Sequence, residues 1–77
     1  MDMLIALFAE CLNVASDRLT EDSSPESISE WDSLAAMNLV TEIEERFDVT
    51  LSTREIMSMR TIAIARDVLR RKGVSEV

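Results

Sequence analysis

Leu4, Leu7, Phe8 and Cys11 recur at steps of three and four residues, the period that gathers apolar side chains on one side of an α-helix. Ile5 and Leu12 widen that stripe and Asp2 is placed to cap it, so the pattern predicts a first helix over about 2–13. A clearer period runs through Ala36, Leu39, Val40, Ile43 and Phe47 and predicts a helix over 33–47, with Asp32 or Ser33 as its cap. At roughly 100° per residue those five share the core side. Leu34, Asn38, Thr41 and Glu45 then face water, and Met37 and Glu44 lie on the flank beside Ser33. Val49 and Leu51 tuck inward from the connection that follows. Ser52 and Glu55 have the spacing of a capping box, which opens a short helix over 53–59 with Ile56 and Met59 turned inward. Thr61 caps a last helix over 62–72 whose apolar face is Ile62, Ala65, Val68 and Leu69. Arg70, Arg71 and Lys72 suit the negative end of its dipole, and Gly73 suits the position just beyond. The final Ser75, Glu76 and Val77 are expected to be loose.

Residues 14–32 carry no such period. They are rich in Ser, Asp and Glu and hold the single proline, Pro25, so they read as a loop with room for short helical turns. Loops beyond about 12–15 residues are uncommon in compact domains and tend to be functional. Val14, Leu19, Ile28 and Trp31 are spaced along this one as anchors.

Four amphipathic helices and no strand pattern in 77 residues imply one all-α domain over residues 1–77, a bundle of three main helices and one short one. Cys11 has no partner for a disulfide and sits on the first stripe, so it reads as a small core residue in a reducing compartment. Asp2 and Glu10 interrupt the apolar start and no basic stretch precedes it, which argues against a signal peptide. No apolar run approaches the ~20 residues of a membrane span. The expected location is therefore cytoplasmic. The net charge of −7 argues against nucleic acid as a partner. It is also unevenly placed: residues 1–45 hold eleven acids and one base, whereas residues 46–77 hold four acids and seven bases. Such a field favours partners with basic docking patches, or serves solubility alone.

Self-contained catalysis is poorly supported. There is no histidine to activate Ser or Cys, no Cys/His zinc set and no Gly-rich phosphate loop. Glu44 and Glu45 lie on an exposed face, without the burial that raises a catalytic carboxyl pKa. What remains is Trp31-Asp32-Ser33-Leu34, where the long loop meets the strongest helix. Ser33 falls in the first helical turn, where free N–H groups and the dipole favour an esterified phosphate. A plain N-cap is the simpler reading of the same serine. Leu34 is apolar, expected outside, and rimmed by Glu42, Glu44 and Glu45 like a docking spot.

Asp32-Ser33-Leu34, after an acidic loop and before an amphipathic helix, resembles the attachment site of acyl carrier proteins. The likeness continues in Leu12-Asn13-Val14, Leu19-Thr20, Met37-Asn38-Leu39-Val40, Ile43-Glu44-Glu45-Arg46-Phe47, Phe47-Asp48-Val49 with Leu51, and Thr61-Ile62, almost the whole chain in register. The resemblance implies a non-catalytic carrier with an acyl-carrier-like four-helix bundle and a long first loop. It implies that Ser33 receives 4′-phosphopantetheine from coenzyme A through a separate Mg²⁺-dependent phosphopantetheinyl transferase, with Asp32 supporting that complex. The cargo would ride as a thioester, sheltered among Leu39, Val40, Ile56 and Ile62 when the helices part. Leu34, Met37, Thr41, Glu44 and Glu45 would form the face recognised by acyl-loading and acyl-transferring enzymes, and the carrier would be a monomer. Glu30-Trp31 stands where fatty-acid carriers have Gly-Ala or a similar pair, and Ala35 and Asn38 stand where they carry acids. The chain thus looks like a stand-alone, specialised carrier, serving for example lipid or polyketide biosynthesis, more than a housekeeping fatty-acid one. An amino-acyl or peptidyl carrier, and a helical interaction domain whose Ser33 is never modified, are the alternatives.

Overall fold

The computed structural model describes residues 2–77. Helices α1 (Met3–Leu12), α2 (Ser33–Phe47), α3 (Thr53–Ser58) and α4 (Ile62–Arg71) are joined by a first loop that holds one 3-10 turn, Ser16–Arg18. This is an all-α bundle of three main helices and one short one, and among the described residues no helix is long and apolar enough to cross a membrane.

Side-chain oxygens start the helices where the sequence places them. Asp2 accepts from the N–H of Leu4 and Ile5, Asp32 from Ala35, and Thr61 from Ile64. Ser52 and Glu55 close a reciprocal capping box. Three helices stop by a left-handed residue, at Asn13 (φ 57°), Asp48 (φ 54°) and Gly73 (φ 92°). At the end of α4, Gly73 N–H donates to the Arg70 carbonyl and Val74 N–H to the Leu69 carbonyl, each at 3.0 Å. That pairing satisfies orphan carbonyls and draws Val74 against Leu69. The tail is therefore not loose: Val74 is buried, Val77 packs against the core, and Arg70 Nε donates to the Val77 carbonyl at 2.9 Å.

The core joins Leu4, Leu7 and Phe8 of α1 to Ile43 of α2 and to Ile62 and Leu69 of α4, all almost fully buried. Two details of α2 differ from the expected stripe. Ala35 is buried, while Ala36 and Val40 are only half-buried. The buried face is centred on Ala35, Leu39, Ile43 and Phe47, a rotation toward α1, because α3 is too short to cover the other edge. Ile56 of α3 accordingly remains 38 % exposed where it was expected inside. Cys11 is likewise half-buried, and burial pushes its thiol pKa up.

The first loop is pinned as its anchors suggest, with Leu19, Ile28 and Trp31 buried. The Ser23 hydroxyl is buried too and accepts from Thr20 N–H at 2.8 Å. Glu21 fastens the loop to α4 twice. Its carbonyl accepts from Ala63 N–H at 3.0 Å, and its carboxylate takes a two-pronged pair from Arg66 at 3.0 and 2.8 Å. Arg66 also reaches Asp2 at 2.7 Å, so one guanidinium ties the cap of α1, the loop and α4. With Arg60–Glu26 and Arg46–Glu10, the basic second half of the chain folds against the acidic first half.

Asp2 gives the fold an acid-sensitive point. Burial pushes its carboxyl up, but the Arg66 hydrogen bond, the N–H of Ile5, the Arg66 charge and the N–H of Leu4 outweigh it and hold the pKa below 3.8. A depressed folded pKa stabilises above the unfolded value and stops doing so as pH falls through the folded one. The melting temperature is therefore expected to drop below about pH 4, and less steeply in Asp2→Asn, which keeps the cap acceptor. A variant with the wild-type acid slope in a pH series of thermal melts would remove Asp2 as a source.

Candidate functional site

Asp32 is the cap of α2, its backbone extended and its Oδ1 accepting from Ala35 N–H at 2.9 Å. The Asp32 carbonyl accepts from Ala36 N–H at 2.9 Å. The choice left open in the sequence is thus resolved against Ser33 as the cap, and the serine hydroxyl is spared for something else. Ser33 is the first residue of α2 and is exposed, with its Oγ in no hydrogen bond among the described residues. The N–H groups of Ser33 and Leu34 likewise have no partner among those residues. An exposed hydroxyl at the positive end of a 15-residue helix, beside two open N–H donors, is a fitting place for an esterified anion.

The surroundings are apolar. Pro25, Trp31, Asp32, Ser33 and Ala36 line an open hollow of about 330 Å³. Ala36 also belongs to a second one of about 290 Å³, walled by Met37, Val40, Thr41 and Ile56. The two form a trough that starts at the serine and runs along the gap between α2 and α3. An inner void of about 40 Å³ opens onto it at Ala36, Val40 and Ile56 and reaches Phe8, Trp31 and Ile43. Ala36 and Val40, expected in the core, are the wall of this trough. The brevity of the predicted third helix was the signal that one edge of α2 would stay uncovered. Ile62, named among the sheltering residues, is fully buried and lines none of these spaces.

Leu34 and Met37 stand out from the same end of α2, 70 % and 69 % exposed. Thr41 and Glu45 are exposed further along, and the Thr41 hydroxyl donates back to the Met37 carbonyl at 3.2 Å. The structure brings four of the five expected recognition residues to one open face. Glu44 is engaged elsewhere: it is half-buried and its Oε2 accepts from Leu51 N–H at 2.8 Å, holding the turn between α2 and α3. Glu42 does not rim Leu34, because it pairs with Arg46, which also reaches Glu10 on α1 at the opposite edge. Ala35 is buried, so it neither adds to nor subtracts from the charge of this face.

The profile of the family described as "Phosphopantetheine attachment site" matches residues 2–65. That span contains the capped start of α2, the trough and the exposed face. No curated protein matches the chain. Members of this family carry 4′-phosphopantetheine covalently, and the free hydroxyl, the open N–H groups and the apolar trough suit an arm of that kind. With its match spanning most of the chain and a helical fold consistent with it, the protein belongs to the phosphopantetheine-attachment family of carrier domains.

Proposed function

We propose that this chain carries acyl intermediates as thioesters on a 4′-phosphopantetheine arm esterified to Ser33, without catalysis of its own. The observation that carries the reading is the division of labour at the start of α2, where Asp32 caps the helix and leaves Ser33 exposed and unengaged. When bound, the arm supplies a terminal thiol that holds the cargo as a thioester. Ser33 Oγ would provide the ester oxygen, the open first-turn N–H groups would hold the phosphate, and Asp32 would support the transferase complex. Leu34, Met37, Thr41 and Glu45 form the face offered to the phosphopantetheinyl transferase and to basic acyl-loading and acyl-transferring enzymes. Glu44 contributes by fixing the turn behind them. The carrier acts as a monomer in the cytoplasm and serves a specialised route, lipid or polyketide synthesis being the classes in view.

Incubation with coenzyme A, Mg²⁺ and a broad-specificity transferase, read by intact mass, tests the reading. One phosphopantetheine per chain is expected; none on folded protein with active transferase would leave the interaction-domain reading in its place. Truncating the docking face gives a second test. Leu34→Ala is expected to lower kcat/KM of arm attachment by about tenfold, the effect of removing a central interface side chain, with the melting temperature unchanged. An unaltered rate would take Leu34 out of the interface.

A further inference from the structure

Trp31 stands, together with Ala36, between the Ser33 end of the trough and the core. It is 5 % exposed and lines both the hollow at Ser33 and the inner void. Its ring meets Phe8 edge to face, with centroids 5.2 Å apart and planes at 68°, a favoured aromatic arrangement. Phe8 is itself 1 % exposed and braces the ring from within the core. The backbone is held as well: Trp31 N–H donates to the Ile28 carbonyl at 3.0 Å, and the next residue is the cap of α2. The ring is thus carried by backbone that leads straight into the helix start presenting Ser33. The 40 Å³ that it walls has room for about one water-sized group. The less covered side of the trough is the other one, where short α3 offers only the half-exposed Ile56.

We infer that Trp31, braced by Phe8, is the floor that limits how much of an acyl cargo this bundle shelters. All but about one methylene of the chain then lies in the open trough between α2 and α3. The inference rests on the carrier reading above and adds to it a specificity-determining residue. Trp31 touches the cargo's path without taking part in any reaction. The consequence is a carrier indifferent to the length of its cargo, whose thioester stays open to attack whatever it holds.

The test loads the protein with butyryl, hexanoyl, octanoyl and decanoyl arms, using the matching acyl-coenzyme A and a broad-specificity transferase. Intact mass confirms loading, and no loading would overturn the carrier reading itself. The thioester is then exposed to hydroxylamine, whose nitrogen attacks the carbonyl and expels the arm's thiolate, and the rate is followed by mass. A chain drawn into the core would favour the sheltered state about fourfold for each methylene removed from water. In the wild type the four rates are expected to agree within about twofold, because a chain lying in the open trough keeps one side in water along its whole length and gains little for each added methylene. In Trp31→Leu, which keeps an apolar side chain but clears the floor, the octanoyl and decanoyl thioesters are expected to be cleaved more slowly, by about tenfold or more. A wild type whose rate falls by that factor from butyryl to decanoyl would overturn the inference without any variant. So would a folded Trp31→Leu, checked by circular dichroism, that treats all four lengths alike.

Discussion

Ser33→Ala is expected to accept no phosphopantetheine at all while melting within about 0.5 kcal/mol of the wild type. The two halves of that expectation come from different atoms. Attachment requires the hydroxyl oxygen, and alanine has none. Stability is indifferent to it because Ser33 Oγ bonds to nothing among the described residues and the side chain is exposed. Alanine is also the better helix former, which offsets whatever small packing is lost. The neighbouring residue behaves in the opposite way. Asp32→Ala deletes the acceptor for Ala35 N–H and should cost about 1 kcal/mol. Asp32→Asn restores the cap and removes only the charge, so a slow attachment in that variant isolates a contribution of Asp32 to the transferase complex. A mass gain that survives in Ser33→Ala would move the attachment to another hydroxyl. A Ser33→Ala that fails to fold would make the serine a structural residue and remove the basis for the site.

The contrast between Asp32 and Ser33 also marks how far the sequence could be read. The four α-helices, and their N-terminal caps except for the choice between these two, follow from apolar spacing and short polar side chains, because both are local. The loop anchors Leu19, Ile28 and Trp31 were legible as isolated apolar residues in a polar stretch, and they are buried. Rotation of α2 was not legible. Ala35 and Ala36 are the same side chain one step apart, and only the neighbours decide which faces the core. Here α1 covers one edge and the six-residue α3 leaves the other open, which turns Ala36 and Val40 into a trough. Glu44 is a similar case: its partner, Leu51 N–H, lies seven residues away across a turn. The packed tail depended on the reversal at Gly73 that returns Val74 to Leu69. The Arg66 cluster joins residues 2, 21 and 66, a pairing that charge distribution suggested only as an overall attraction between halves.

Phe8→Ala is expected to carry the largest cost to folding. Deleting a buried phenyl ring removes its transfer energy and leaves a cavity, together about 3–5 kcal/mol. A chain of this length has about 4–12 kcal/mol in all. The melting temperature should fall by at least about 12 °C, since each kcal/mol moves it by about 4–8 °C in a domain of this size. Phe8 is 1 % exposed and is the face on which Trp31 rests, so its loss reaches the loop and the start of α2 as well as α1. Phe8→Leu keeps most of the volume and should recover more than half of the deficit. Cys11→Ala is the informative comparison, because the apolar period of α1 places Phe8 and Cys11 on one stripe. The structure separates them, leaving Cys11 half-buried at the edge toward Glu42 and Arg46, so its truncation should cost less than about 1 kcal/mol. Equal costs for the two would mean that α1 is turned differently on the bundle. Arm attachment should follow the same order. Phe8→Ala would slow it in proportion to the folded fraction, yet the reaction would still reach one arm per chain, because Ser33 and its cap are intact in every molecule that folds.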